Sequence, residues 1–299
     1  MKIHRGMVVA FSVALTITIQ AFAAEYPERP IRYVVPFSSG SGPDVGARLL
    51  AAEIGKRMGQ QIVIDNRPGA GGSIGTELIV RAVADGYTIG HGNIATLAIN
   101  RSVIAKLPYD PDKDLQKVVQ AIFLPNLMAI APPLPVNSVQ ELIAYARKNP
   151  DKLSYGAQNG TSPHLSNELF KLMTGTQIVH VPYKDTQQAI TDMIGNRLQV
   201  MIENMSAILP HVKAGRIRGL AVTSAKRSAA IPELPTVAEA GVKDFEVVAW
   251  SGIVVPAGVG SGIVEKLNAV TNAALTSPEL REKYTALGYE IVGGTAKQF

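Results

Sequence analysis

The sequence predicts an α/β protein of two domains, each a mostly parallel sheet flanked by helices, with two strands crossing between them. Three observations carry this expectation. Short β-rich runs alternate with helical patterns from Ile31 onward, a second series of similar plan starts near Val136, and long apolar β-type stretches lie at the joints. A chain of 299 residues suits two domains at ~100–200 residues each.

In the first series, residues 31–37 (IRYVVPF) read as a buried strand and residues 61–65 (QIVID) as a second. Between them, residues 45–58 form an amphipathic helix with Val45, Leu49, Ala52 and Met58 on one face. Residues 76–84 follow as a helix, 87–91 as a strand, and 96–100 open a short helix. In the second series, residues 136–148 are helical, with Ser138 as N-cap and Glu141 completing a capping box. Strands at 153–155, 178–182, 200–202 and 219–223 then alternate with helices at 163–173, 187–194 and 207–214. The stretches 118–130 (VVQAIFLPNLMAI) and 245–255 (FEVVAWSGIVV) are longer than one sheet needs and break at Pro125-Asn126 and Ser251-Gly252. Two such crossings place residues 24–123 and 247–299 in one domain and 124–246 in the other. The cleft between them would close by hinge bending.

Composition narrows the function classes. With 46% hydrophobic and 18% charged residues, wholesale disorder is excluded. The absence of cysteine excludes disulfides, Cys-based metal centres, a thiol nucleophile and a lipid-modified cysteine. Lys2 and Arg5, an apolar run over residues 6–19 and the small-x-small Ala21-Phe22-Ala23 read as a cleavable signal peptide over residues 1–23. The run is shorter than the ~20 residues of a membrane span, so an uncleaved anchor is the lesser alternative. Removing Lys2 and Arg5 leaves 27 basic against 24 acidic residues, turning the +5 into +3. No Lys/Arg cluster interleaved with aromatics follows, so a nucleic-acid partner is not expected. The mature chain is expected to be exported, most simply to a bacterial periplasm.

Glycine-rich loops carry the candidate chemistry. Ser38-Ser39-Gly40-Ser41-Gly42-Pro43-Asp44 joins a strand to a helix, where free N–H groups and hydroxyls suit a carboxylate. Gly40-x-Gly42-x-x-x-Gly46 with Asp65 also approaches a dinucleotide fingerprint. Pro36 and an exported setting argue against that alternative. Residues 155–164 (YGAQNGTSPH) form the counterpart loop in the second half, so two helix N-termini could grip a carboxylate from both sides. His164 there is either a further donor or a cap. Gly71-x-Ser73-x-Gly75 formally matches a hydrolase nucleophile elbow, but Asn66-Arg67-Pro68 break the strand too early. An exported serine hydrolase using Ser73 is the enzyme alternative. His91, His164, His180 and His211 show no metal-ligand spacing, and neither metal nor cofactor is expected.

Landmarks now accumulate in order: residues 26–32 (YPERPIR), Val35-Pro36-Phe37 with its glycine loop, 66–72 (NRPGAGG) and Asp85-Gly86-Tyr87-Thr88. Leu107-Pro108-Tyr109-Asp110, 180–184 (HVPYK) and 234–241 (LPTVAEAG) continue them. From Tyr26 to Phe299 the chain resembles the substrate-binding proteins of tripartite tricarboxylate transporters, the Bug or TctC-like family. The resemblance implies a Venus-flytrap protein that captures a small organic acid without chemistry and hands it to membrane permease subunits. The acid could be a mono-, di- or tricarboxylate, an amino acid or an aromatic acid, and the protein a monomer. A sensor that reports to a signalling receptor is the alternative use of the same fold.

Carried over by resemblance, the ligand-binding residues are Ser38, Ser39, Gly40 and Asp44 of the first loop, with Asn93, Ala95 and Thr96 after the third strand. The middle domain contributes Ala157, Gln158, Gly160, Thr161, Ser162 and His164, then Tyr183 and Asp185, and finally Glu203. Glu203-Asn204 stand where the family commonly has Asp-Asn, and Asp185 replaces its usual Gly. A fixed charge at Asp185 is expected to repel a second ligand carboxylate or to favour an amino group. Relatives continue through a further helix beyond the position of Phe299, which implies an unfinished closing helix near Thr295.

Overall fold

The computed structural model describes residues 26–299. The expected signal peptide lies outside the described residues. β1 (Ile31–Val35), α1 (Gly42–Met58), β2 (Ile62–Asn66), α2 (Ser73–Val80) and β3 (Thr88–Asn93) open the chain. A π-type turn over Ala95–Ile99 then runs into α3 (Asn100–Val103). After β4 (Leu115–Ile130) come α4 (Val139–Lys148), β5 (Leu153–Ala157), α5 (Ser162–Thr174), β6 (Ile178–Pro182), α6 (Thr186–Ile194) and β7 (Val200–Asn204). α7 (Met205–Lys213), β8 (Arg218–Val222), β9 (Val248–Pro256), α8 (Ser261–Leu275), α9 (Pro278–Ala286) and β10 (Glu290–Ile291) complete it.

The alternation yields parallel pairing where helices cross over and antiparallel pairing at the joint. β1 lies parallel between β2 and β3, and β5 parallel to β6 and β7. Through residues 115–125, β4 pairs antiparallel with β9; from Asn126 onward it pairs with β7 and β8. The strand therefore changes sheets between Pro125 and Asn126, where the sequence breaks. Thr223 stitches this point to the second crossing: its amide donates to the Asn126 carbonyl at 2.9 Å, and its carbonyl accepts the Val247 amide at 2.9 Å. One apolar cluster continues through the joint, from Ile31 and Ile54 past Val119 and Leu127 to Met201 and Ile208.

Several local expectations need correction. β9 runs unbroken through Ser251-Gly252; the irregularity lies opposite, where the register of β4 shifts between Gln120 and Ile122. That bulge carries the Val119 carbonyl so near Gly252 that a Cβ would stand 2.0 Å from its oxygen, which is why glycine occupies the position. α1 starts at Gly42 rather than Val45, because Pro43 is preset for a first helical turn. α2 spans Ser73–Val80 rather than residues 76–84, with Arg81 as its C-cap. The α4 capping expectation is met by Ser138, whose hydroxyl accepts the Glu141 amide at 3.1 Å; the Glu141 carboxylate reaches one residue further back, to Asn137.

Candidate functional site

A cavity sits where the sheets meet. Alternate residues of a strand share a face, and at the joint these are His91 and Asn93 on β3, Ala249 and Ser251 on β9, Ile122 and Leu124 on β4, and Glu203 on β7. They form its floor, with Trp250 and Phe37 at the edge. The walls are helix beginnings: Ser41, Gly42 and Pro43 at α1, Ala95 at the π-type turn, Thr161, Ser162 and Pro163 at α5, and Thr186 at α6. The α1 and α5 starts, contributed by opposite sheets, have no side-chain cap. Their first-turn amides are the orphan donors every helix leaves, at the positive end of its dipole.

No Lys or Arg lines the cavity, and its ionisable side chains are His91 and Glu203. His91 is buried, with Nδ1 3.4 Å from the Tyr33 hydroxyl and Nε2 without a partner among the described residues. Burial pushes its pKa down to about 4, so the ring is neutral near pH 7. Glu203 is 5% exposed, and its Oε1 accepts the Asn204 amide at 2.7 Å. Burial pushes its carboxyl up to about 7, only partly opposed by that hydrogen bond. Asn93 is held by a reciprocal pair with Thr96: each backbone amide donates to the other's side-chain oxygen at 3.1 Å. At the mouth, Gln187 Nε2 donates to the Gly40 carbonyl at 2.7 Å, joining the two halves of the molecule.

Of the residues expected from sequence, Asn93, Ala95, Gln158, Thr161, Ser162 and Glu203 border the cavity. The others lie elsewhere, each for an identifiable reason. The Ser38 carbonyl closes the loop turn by accepting the Ser41 amide and hydroxyl, while Ser39 faces solvent. Gly40 supplies its carbonyl to Gln187 and its amide to Asp44. Asp44 also accepts Arg48 Nε at 2.9 Å and Asn66 Nδ2 at 2.8 Å, so this carboxylate builds the loop. Burial raises the Asp44 pKa, but these bonds outweigh it and hold the carboxyl below its ordinary value. Thr96 is buried behind Asn93. The Ala157 carbonyl is used by His180 and the Tyr183 amide, and Gly160 (φ +74°) turns beside Asn100.

His164 packs its ring on His180, with centroids 4.6 Å apart, and the Tyr183 hydroxyl donates to Asp192 at 2.6 Å. Asp185 is the N-cap of α6, its Oδ1 accepting the Gln187 and Gln188 amides at 2.8 and 3.0 Å. Its charge is thus spent on the helix start, and it does not border the cavity. Sequence reasoning missed Phe37, His91, Ile122, Leu124, Ala249, Trp250 and Ser251. All lie on or just beyond strands, and those of β4 and β9 were read only as parts of the crossings. The enzyme alternatives find no footing. Ser73 is buried at the start of α2 with no histidine bonded to it among the described residues, and Asp65 is engaged by Arg32 and Arg67. Among the described residues, no three His, Asp or Glu side chains are grouped to hold a metal.

Sheets joined by crossing strands, with a cavity at the joint, define a solute-binding protein of the periplasmic type rather than an enzyme. The chain belongs to the tripartite tricarboxylate transporter family of receptors, whose family profile matches residues 46–299. Protein BugT of Bordetella pertussis is 37% identical over 278 residues, covering 92% of this chain and 85% of that protein. R. palustris Rpa4515, solved with adipate, superposes with a TM-score of 0.90 at 41% identity over 92% of each chain. MatC (Rpa3494) from Rhodopseudomonas palustris, with bound malate, gives a TM-score of 0.84 at 30% identity, over 89% of this chain and 91% of that one. Members of the family are periplasmic binding proteins.

Proposed function

We propose that this protein captures a small carboxylate between two domains, residues 24–123 with 247–299 and residues 124–246, and delivers it to the permease subunits of a tripartite tricarboxylate-type transporter. One observation carries the reading: two uncapped helix starts from opposite sheets meet in a cavity lined by no cationic side chain. An anion there is held by amides, hydroxyls and helix dipoles rather than by a salt bridge. Hydrogen bonds to a charged group are worth ~1.5–3 kcal/mol each, and several together support micromolar binding, ~8 kcal/mol, after ordering costs. The donors assigned are the first-turn amides of α1 and α5, with Asn93, Gln158 and Ser162, while the Thr161 hydroxyl donates to the Gln158 carbonyl at 2.6 Å. The adipate and malate of the two relatives support the carboxylate class.

Residues 1–23 direct export to the periplasm and are removed on the way, for which mass spectrometry of the exported chain finding Ala24 at the N-terminus is the check. The protein acts as a monomer, tested by light scattering. A ligand that binds only the folded, closed form raises thermal stability by mass action, ~2.7 kcal/mol at a hundredfold excess over Kd. A thermal-shift panel of mono-, di- and tricarboxylates, amino acids and aromatic acids is therefore expected to contain a stabilising carboxylate. No shift across the panel would overturn the reading.

A further inference from the structure

We propose that a carboxylate ligand is captured together with one proton, which is taken from solvent and held between the ligand and Glu203; this rests on the carboxylate reading above. Glu203 is the penultimate residue of β7, paired opposite Leu127 of β4, and it lines the same cavity as the uncapped helix starts. It is 95% removed from solvent, and the Asn204 amide is its one hydrogen-bond partner among the described residues. Among the described residues, no cation offsets its charge. The elements packed against β7 are β4, β5, α5 and α7, and none of their charged groups pairs with Glu203.

On α5, Lys171 pairs with Glu168 at 2.8 Å, Glu168 also accepts the Tyr155 hydroxyl of β5, and His164 packs against His180 with the rings tilted by 37°. β4 presents Asn126, Leu127 and Met128 along the paired register. On α7, His211 and Lys213 lie in the last turn, at the opposite end from Glu203. Beyond the cavity, Arg48 of α1 is committed to Asp44. Across the floor, His91 is neutral near pH 7, since burial holds its pKa at about 4.

Two carboxylates confined in one cavity without a cation cannot both stay ionised at neutral pH. Burial, partly opposed by the Asn204 amide, already brings Glu203 to about 7, and a ligand anion beside it raises it further. The proton arrives from water as the anion enters, resides on Glu203, and is donated in a hydrogen bond to a ligand carboxylate oxygen. On release it returns to solvent. Glu203 would then select for ligands that bring an acceptor to it. A ligand carrying an ammonium group would instead favour ionised Glu203 and release a proton, giving the opposite pH dependence.

The test is calorimetric titration of the wild-type protein with adipate, malate, citrate and benzoate between pH 5.5 and 8.5. Each titration is repeated in buffers of low and high ionisation enthalpy. Kd is expected to be flat below about pH 7 and to weaken towards tenfold per unit above it, with close to one proton taken up per ligand at pH 8. Glu203→Gln is expected to lose both the slope and the uptake. Should that variant fail to fold, the wild-type proton count decides alone. Binding without proton uptake, or affinity that rises with pH, would overturn the proposal while leaving carboxylate capture intact. Absence of binding by all four acids at every pH overturns both.

Discussion

Gln187 Nε2 donates to the carbonyl of Gly40 across the mouth of the cavity, at 2.7 Å. The two residues are 147 positions apart in sequence, and the contact exists only when the halves of the molecule are together. Gly40 makes it possible: its φ of +77° turns the loop, and a Cβ there would stand 3.0 Å from the Gln187 amide nitrogen. Gln187→Ala removes one hydrogen bond of the closed form, worth ~0.5–1.5 kcal/mol. The expected effect is a ~2–10-fold weaker Kd, most of it in faster dissociation. Trp250, the single tryptophan, borders the cavity and reports both rates by stopped-flow fluorescence.

Asp185→Ala should act on stability and not on ligand choice. The carboxylate caps α6 through two amides, and losing such a cap costs ~1 kcal/mol. Asp185→Asn retains an acceptor and should lose much less. Urea denaturation measures the first effect; an unchanged ranking of acids in a thermal-shift panel measures the second. A variant that newly accepts dicarboxylates would restore a charge-selecting role to Asp185.

Asp185 marks the boundary between what pattern reveals and what only geometry decides. The alternation of strands and helices was legible because periods of 2 and 3.6 residues are written into the apolar pattern; the face was not, since α1 buries Ala47, Leu50, Ala51 and Ile54 rather than Val45, Leu49 and Ala52, the last of which is exposed. The loops at α1 and α5 were legible for a related reason: small residues and a proline mark helix starts. The roles of Asp44 and Asp185 could also have been read locally, since an acid in or before a first turn caps amides. His91, Ile122, Leu124 and Ala249 were hidden because a floor residue and a core residue look alike in sequence. Only the pairing of β3, β9 and β4 turns their shared face toward the cavity.

Gly252→Ala tests the bulge at the crossing. The methyl group would meet the Val119 carbonyl oxygen and backbone atoms of Gln120, none of which can move without disturbing the β4–β9 ladder. Overpacking of this kind costs ~1–3 kcal/mol. Because Ser251 next to it lines the cavity, a weaker Kd should accompany the lower urea midpoint. A fully stable variant with native affinity would mean that the crossing tolerates displacement.

Glu203 also makes the ligand-free protein sensitive to pH, in a direction opposite to ordinary acid denaturation. Its ordinary pKa is 4.5 and its folded value about 7. Below pH 4.5 both folded and unfolded forms carry the proton. Between 4.5 and 7 only the folded form keeps it, so stability falls as pH rises, by up to about 1.4 kcal/mol per unit. Above pH 7 the contribution is gone. Asp44, held below its ordinary value of 3.8, works the other way: its contribution is present above that value and lost as pH drops through the folded pKa. Urea denaturation without ligand should therefore show the wild type weakening from pH 5 to 7.5. Glu203→Gln, which cannot ionise, should keep its stability across that range and exceed the wild type most clearly at pH 8. A wild-type profile that stays flat from pH 5 to 8 would mean that Glu203 ionises in the folded protein as freely as in water.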